Sequence, residues 1–143
     1  METKTLPDKM DIQVFNNFNQ KLEFLWKEFE ISSSSFIFHS YDWQKYWYQH
    51  VGQPKYDMVV SIIVFSFKNK VKAIFPFVVK KTLGARVLQF IGGDQADYSA
   101  PLMAKDMSQL DLTTISREIW KVIPTHDIIY YRNVPEFVEK RFS

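Results

Sequence analysis

The residues best suited to chemistry lie together in Phe90-Ile91-Gly92-Gly93-Asp94-Gln95-Ala96-Asp97-Tyr98-Ser99-Ala100-Pro101-Leu102. An apolar run stops at two glycines, and Asp94, Gln95, Asp97, Tyr98 and Ser99 follow before the chain turns apolar again. A glycine pair admits positive φ and lets backbone approach a ligand closely. Carboxylates and a phenol just past a strand end are where α/β proteins often place ligand-contacting groups. Gly92, Gly93, Asp94, Asp97 and Tyr98 are therefore the candidate substrate-binding residues. A second reading stays open beside it: a tight turn in which the aspartates bond local amides and the Tyr98 ring packs on a sheet.

Other reactive groups are sparse. His39, His50 and His126 show no His-x-x-x-His or Glu-x-x-His spacing, so a zinc site has no support and none is expected. His50 is expected near a helix end, where a protonated imidazole suits the dipole. Lys80, Lys81 and Arg86 form either a small basic patch for an anion or solvated strand ends that guard an edge.

Composition narrows the classes further. Hydrophobic residues make up 46% of the 143 residues and aromatics 17%, which excludes global disorder and supports a buried core. A formal charge of +2 gives no electrostatic case for nucleic acid. The absence of cysteine excludes disulfides, thiolate metal sites and a cysteine nucleophile. The N-terminus lacks the apolar stretch of a signal peptide, and the apolar run from Met58 to Phe67 is too short to span a bilayer as a helix. A cytoplasmic protein without membrane insertion is the expectation.

The elements that must position these groups follow from periodicity. Residues 1–10 read as a flexible lead-in to a single domain over 11–143. Phe15, Phe18, Leu22, Leu25 and Phe29 fall three or four apart, which predicts a helix from an Asp11 N-cap to Phe29. The serine-rich stretch from Glu30 to Ser35 predicts a loop. Ser40 is the expected N-cap of a second helix carrying Trp43, Tyr46, Trp47 and His50 on one face, with Gly52 as its stop. Those rings suggest core packing, with a ring-lined pocket as the alternative. Val59–Phe67 and Val71–Val79 read as a β-hairpin around Lys68-Asn69-Lys70. Pro76 inside the second strand predicts a bulge or an unpaired edge. Arg86 to Ile91 is a third strand, Ser99 to Ala104 a fourth, and Asp106 to Val122 a third helix ending before Pro124. Asp127 to Arg132 is a last strand reached by that helical crossover. The fold class is α+β (mixed α/β), a central, mostly antiparallel sheet flanked by about three helices.

Five segments in order carry a resemblance: Phe38-His39-Ser40-Tyr41-Asp42-Trp43 with Trp47, Phe75-Pro76-Phe77 through Lys81, Arg86 through Gly92, Asp97-Tyr98 with Pro101-Leu102, and Asp127 through Tyr130 with Asn133-Val134-Pro135. From about Phe36 to Glu136 the chain resembles the N-terminal half of the CelD-like, cellulose-biosynthesis-type acetyltransferases of the GNAT superfamily. These are relatives of the Fem-type transferases built from two GNAT-like halves. The resemblance implies a GNAT-like half of an acyltransferase that moves an acetyl group from acyl-CoA to a sugar, peptide or amine. In such a transfer Asp97 and Tyr98 would suit a base for the acceptor and an acid for the leaving thiolate. The second half of the family carries the acyl-CoA signature, and this chain has no Arg/Gln-x-x-Gly-x-Gly/Ala loop for a pyrophosphate. The expectation is therefore a fragment of a longer protein, or else a short relative that has lost the catalytic half, which binds the acceptor or packs structurally and does not turn over alone. Acetyl-CoA or another acyl-CoA would serve the full-length protein, none is expected on this chain alone, and the C-terminal half is the implied partner. The competing reading is a non-catalytic assembly module that forms a homodimer through aromatic surface.

Overall fold

A run of β-branched and aromatic residues has no polar side to turn toward water, so it must be covered twice. The computed structural model, which describes residues 2–6, 10–34, 40–92 and 101–130, is organised around one such run. In chain order the elements are β1 (Glu2–Leu6), β2 (Met10–Phe15), α1 (Gln20–Ser32), β3 (Ser33–Ser34) and α2 (Tyr41–Trp47). A π-helical turn (Tyr48–Gly52) leads into α3 (Gln53–Tyr56), then β4 (Val59–Phe67), β5 (Lys70–Thr82), β6 (Ala85–Phe90), β7 (Leu102–Ala104), α4 (Gln109–Val122) and β8 (Ile128–Ile129).

Six strands lie side by side in the order β1-β2-β4-β5-β6-β8. Every described pairing is antiparallel except β6 with β8, which is parallel and is reached through α4. This is an α+β fold. Side chains alternate across the sheet, so Val60, Ile62, Val64, Ile74 and Val78 join the core shared with α1 and α2. Ile63, Phe65, Phe75, Phe77, Leu88 and Phe90 join a second core with Leu112, Ile115 and Ile119 of α4. The result is three layers, helices on sheet on helix. Full burial of a side chain such as Leu22, Ile62 or Leu88 stabilises the fold by about 1.5–3 kcal/mol.

Local chemistry explains the boundaries. Asn19 Oδ1 accepts from Leu22 N–H at 2.9 Å and starts α1. Ser40 Oγ accepts from Trp43 N–H at 3.2 Å, the cap expected for α2. Ser108 and Asp111 form a capping box at α4. The β4–β5 and β5–β6 hairpins turn through two residues of positive φ, Lys68-Asn69 (52° and 66°) and Leu83-Gly84 (52° and 84°), which matches the right-handed strand twist.

Several expectations are corrected. Residues 2–6 are a strand and not a loose lead-in, and Asp11 lies in β2 instead of capping a helix. The apparent helical spacing of Phe15 and Phe18 is coincidental: Phe15 pairs with Ile62, and the Asn16-Asn17-Phe18-Asn19 stretch breaks strand from helix. Helix α1 runs to Ser32, and Ser33-Ser34 pairs with Ala104-Met103, so the serine run is not a loop throughout. Gly52 does not stop its helix; the chain continues to Tyr56 and ends on Asp57, which takes the left-handed conformation. His50 is therefore in the last turn of the π-helical segment, with its ring tilted against exposed Tyr46 at 4.2 Å, and the helical run continues past it to Tyr56. Trp47 is buried, whereas Tyr46 is 66% exposed, so that face is not one packed wedge. Helix α4 starts three residues later than Asp106 because Ser108 caps it. Among the described residues no helix is long and apolar enough to cross a membrane.

Two substitutions test these packing arguments. A Cβ on Gly52 would meet Trp47 Cζ3 at 2.8 Å and Tyr48 Cδ1 at 3.3 Å. Gly52→Ala is expected to lower unfolding free energy by about 1–3 kcal/mol in denaturant titration, since the buried indole cannot swing away. Leu83 is fully exposed and holds φ at 52°, a conformation that asparagine tolerates better. Leu83→Asn is expected to raise stability by about 0.5–1 kcal/mol in the same assay.

Candidate functional site

Two features border β5, each at a point where its ladder is interrupted. The first is opposite Pro76. Strand β6 pairs with β5 from Thr82 to Phe77, and Ile91 N–H still donates to Pro76 O at 3.0 Å. Strand β7 then rejoins the same edge with Leu102 opposite Ile74. Pro76 has no N–H with which to continue the ladder on this edge. Pro76 itself stays in register with Ile62 on β4. It is thus neither bulged nor on an outer edge; the break falls on its β6 and β7 side.

Gly92 stands at this break, buried, with φ at 117°, a conformation suited to glycine. Gly93, Asp94, Asp97 and Tyr98 lie outside the described residues, as do Gln95 and Ser99. The carboxyl ends of β6 and β8, at Gly92 and Tyr130, lie at the same end of the sheet because the two strands are parallel. Ligands in open α/β sheets commonly sit outside the carboxyl ends of such strands.

The β6–β8 pair is held by more than its short ladder. Arg86 N–H donates to Asp127 Oδ2 at 2.8 Å, Arg86 Nη2 reaches Oδ1 at 3.3 Å, and Asp127 N–H donates to Arg86 O at 2.8 Å. Arg86 is therefore committed to Asp127, and Lys80 covers the Tyr56 ring at 4.3 Å, which leaves little of the basic patch that their sequence neighbourhood suggested. His126 Nδ1 lies 2.8 Å from Pro124 O. Among the described residues no three His, Asp or Glu side chains gather as metal ligands, and His39 lies outside them.

The second feature was not anticipated. A cleft of about 520 Å³ opens between α1, the β4–β5 turn and the end of β7. Phe24, Leu25 and Phe29 form one wall with Glu28, and Asn69, Lys70, Val71 and Lys72 form another. Ala104, Lys105 and Asp106 close the third side. A β-bulge sets Lys72 apart: Phe65 faces Ala73 and Ser66 faces Val71, so Lys72 has no partner on β4. Its Nζ lies 3.3 Å from Asp106 Oδ2 and 3.5 Å from Oδ1. The only hint in the sequence is the alternating Lys70-Val71-Lys72, which reads equally well as a solvated strand end.

A third group of ionisable residues has a structural role. Lys27 bridges Glu23 at 2.8 Å and Asp42 at 3.2 Å, and these bonds raise its pKa. Glu30 accepts from Tyr41 N–H, while burial raises its carboxyl. The Tyr41 phenol is pushed up to about 12, chiefly by burial, so it stays neutral near neutral pH. These contacts join α1 to the start of α2.

Asp127 supplies a test of the clamp beneath the carboxyl ends. Its hydrogen bonds from Arg86 hold its pKa below the ordinary 3.8. A depressed folded-state pKa contributes stability above the unfolded value, and that contribution is lost as pH falls through the folded value. Asp127→Asn is expected to lower Tm near neutral pH, with the gap closing below pH 3.8 and narrowing with salt because the pair is exposed. No described protein family, curated protein or solved structure matches this chain.

Proposed function

We propose that the chain is a GNAT-like domain of a CelD-like acyltransferase that holds the acceptor, with acyl-CoA chemistry supplied elsewhere in the full-length protein. One observation carries the reading. The described parts of four segments of the resemblance, on β5, β6, β7 and β8, are linked as neighbours in one sheet, and those on β5, β6 and β7 border the break opposite Pro76. The fifth, Ser40-Tyr41-Asp42-Trp43, forms the capped start of α2. Segments scattered through the sequence thus meet near Gly92, the described residue from which the sequence leads on to Asp94, Asp97 and Tyr98. A homodimer through aromatic surface is less well supported, since exposed Tyr46 and Trp120 belong to helices on opposite faces of the sheet.

The reading is tested by two-dimensional NMR titration with an amino sugar, a short peptide and a simple amine, each beside acetyl-CoA. One acceptor class is expected to move the Ile91, Gly92 and Tyr130 amides saturably. Asp97→Asn with Tyr98→Phe should weaken that binding by about tenfold. Acetyl-CoA should give no saturable shift. Stoichiometric acetyl-CoA binding, or no response at these amides to any acceptor, would sink the proposal.

A further inference from the structure

We infer that the cleft between α1, the β4–β5 turn and the end of β7 binds a phosphate monoester with an apolar, ring-sized body. The site is separate from the Gly92 region, and the inference does not rest on the acyltransferase reading. The charges come first. Lys70, Lys72 and Lys105 line the cleft together with Glu28 and Asp106, an excess of one positive charge. Lys72 and Asp106 neutralise each other at 3.3 Å. Lys70 and Lys105 have no carboxylate partner among the described residues. Two ammonium groups at the rim of a concave surface attract an anion more strongly than the same groups on a convex one, because the low-dielectric walls focus their field.

The kind of anion follows from the kind of cation. Lys70 and Lys105 together offer two positive charges, which a phosphate monoester, at about −1.5 to −2 near neutral pH, answers more fully than a singly charged carboxylate. Lysines act as point charges, which suits a phosphate oxygen approached from several directions. The amide of Asn69 adds a neutral donor beside Lys70, in a turn held at positive φ.

The apolar half of the ligand is indicated by Phe24. Its side chain is 67% exposed although it stands next to buried Phe29 on the same wall. An exposed ring at the mouth of a cleft loses water-facing area when a second ring or alkyl body lies against it. A volume of about 520 Å³ falls within the range of small-ligand sites, about 300–1,000 Å³. The bulge supplies the remaining argument. It removes Lys72 from the ladder and turns it to Asp106, and bulges of this sort commonly re-aim a side chain at a site.

The test is a two-dimensional NMR titration of the whole chain with phenyl phosphate, inorganic phosphate and benzoate in parallel. Phenyl phosphate is expected to shift the amides of Asn69–Lys72 and Lys105 and the Phe24 ring saturably, and to bind about tenfold more tightly than either other probe. Lys70→Ala with Lys105→Ala, both exposed, should leave the spectrum folded and weaken binding by about tenfold. Phe24→Ala should erase the advantage of phenyl phosphate over inorganic phosphate. The inference is overturned if phenyl phosphate gives no saturable shift, if the double variant binds as well as the parent, or if benzoate matches phenyl phosphate. Shifts spread over lysines outside the cleft would overturn it equally. Failure here leaves the Gly92 and Tyr130 amides as a separate readout for the acceptor proposal.

Discussion

The fold depends on covering the β4–β5 hairpin from both sides. Its strands carry apolar side chains in both directions, so neither α1 with α2 nor α4 alone would keep them from water. On one side Trp26 and Tyr41 meet edge-to-face at 5.6 Å above the sheet. On the other, Phe75, Phe77 and Phe90 stack with centroids 5.9 and 5.0 Å apart, under α4. These layers outweigh the ion pairs, since exposed pairs such as Lys27–Glu23 are screened by water and salt. The polar seam between α1 and α2 sets where the helices meet, and apolar burial holds them there.

A hairpin buried on both faces has little freedom to form a site within itself. Both candidate features instead arise where β5 departs from regular pairing. Pro76 withholds one donor, and β6 and β7 separate around it while remaining on one edge. Lys72 is bulged, and its side chain crosses to Asp106 at the end of β7. Irregularities at these two points cost ladder hydrogen bonds, and each borders a candidate site. The parallel β6–β8 contact adds direction, because it aligns two strand carboxyl ends that the antiparallel remainder of the sheet would alternate.

The elements with one dominant signal were legible in the sequence. The hairpin was visible in its β-branched run, α4 in Leu112, Ile115 and Ile119, and the start of α2 in Ser40. The N-terminal region was not, because Phe15 and Phe18 fall at helical spacing although one belongs to β2 and the other follows it. Only pairing with β4 decides between the two periods, and that pairing is remote in sequence. Pro76 announced an interrupted ladder, but which neighbour was interrupted depended on the placement of β7.

By itself the sequence determined the class of fold, its two-faced central hairpin, the glycine at residue 92 and the aspartates beyond it. Those follow from side-chain shape, hydrophobicity and backbone freedom, which act over a few residues. Tertiary structure alone decided that β6 and β7 share one edge of β5, that Arg86 is committed to Asp127, and that Lys70, Lys72 and Lys105 surround a cleft. Each joins residues far apart along the chain, and no local preference encodes a contact whose two sides meet only after the layers have packed.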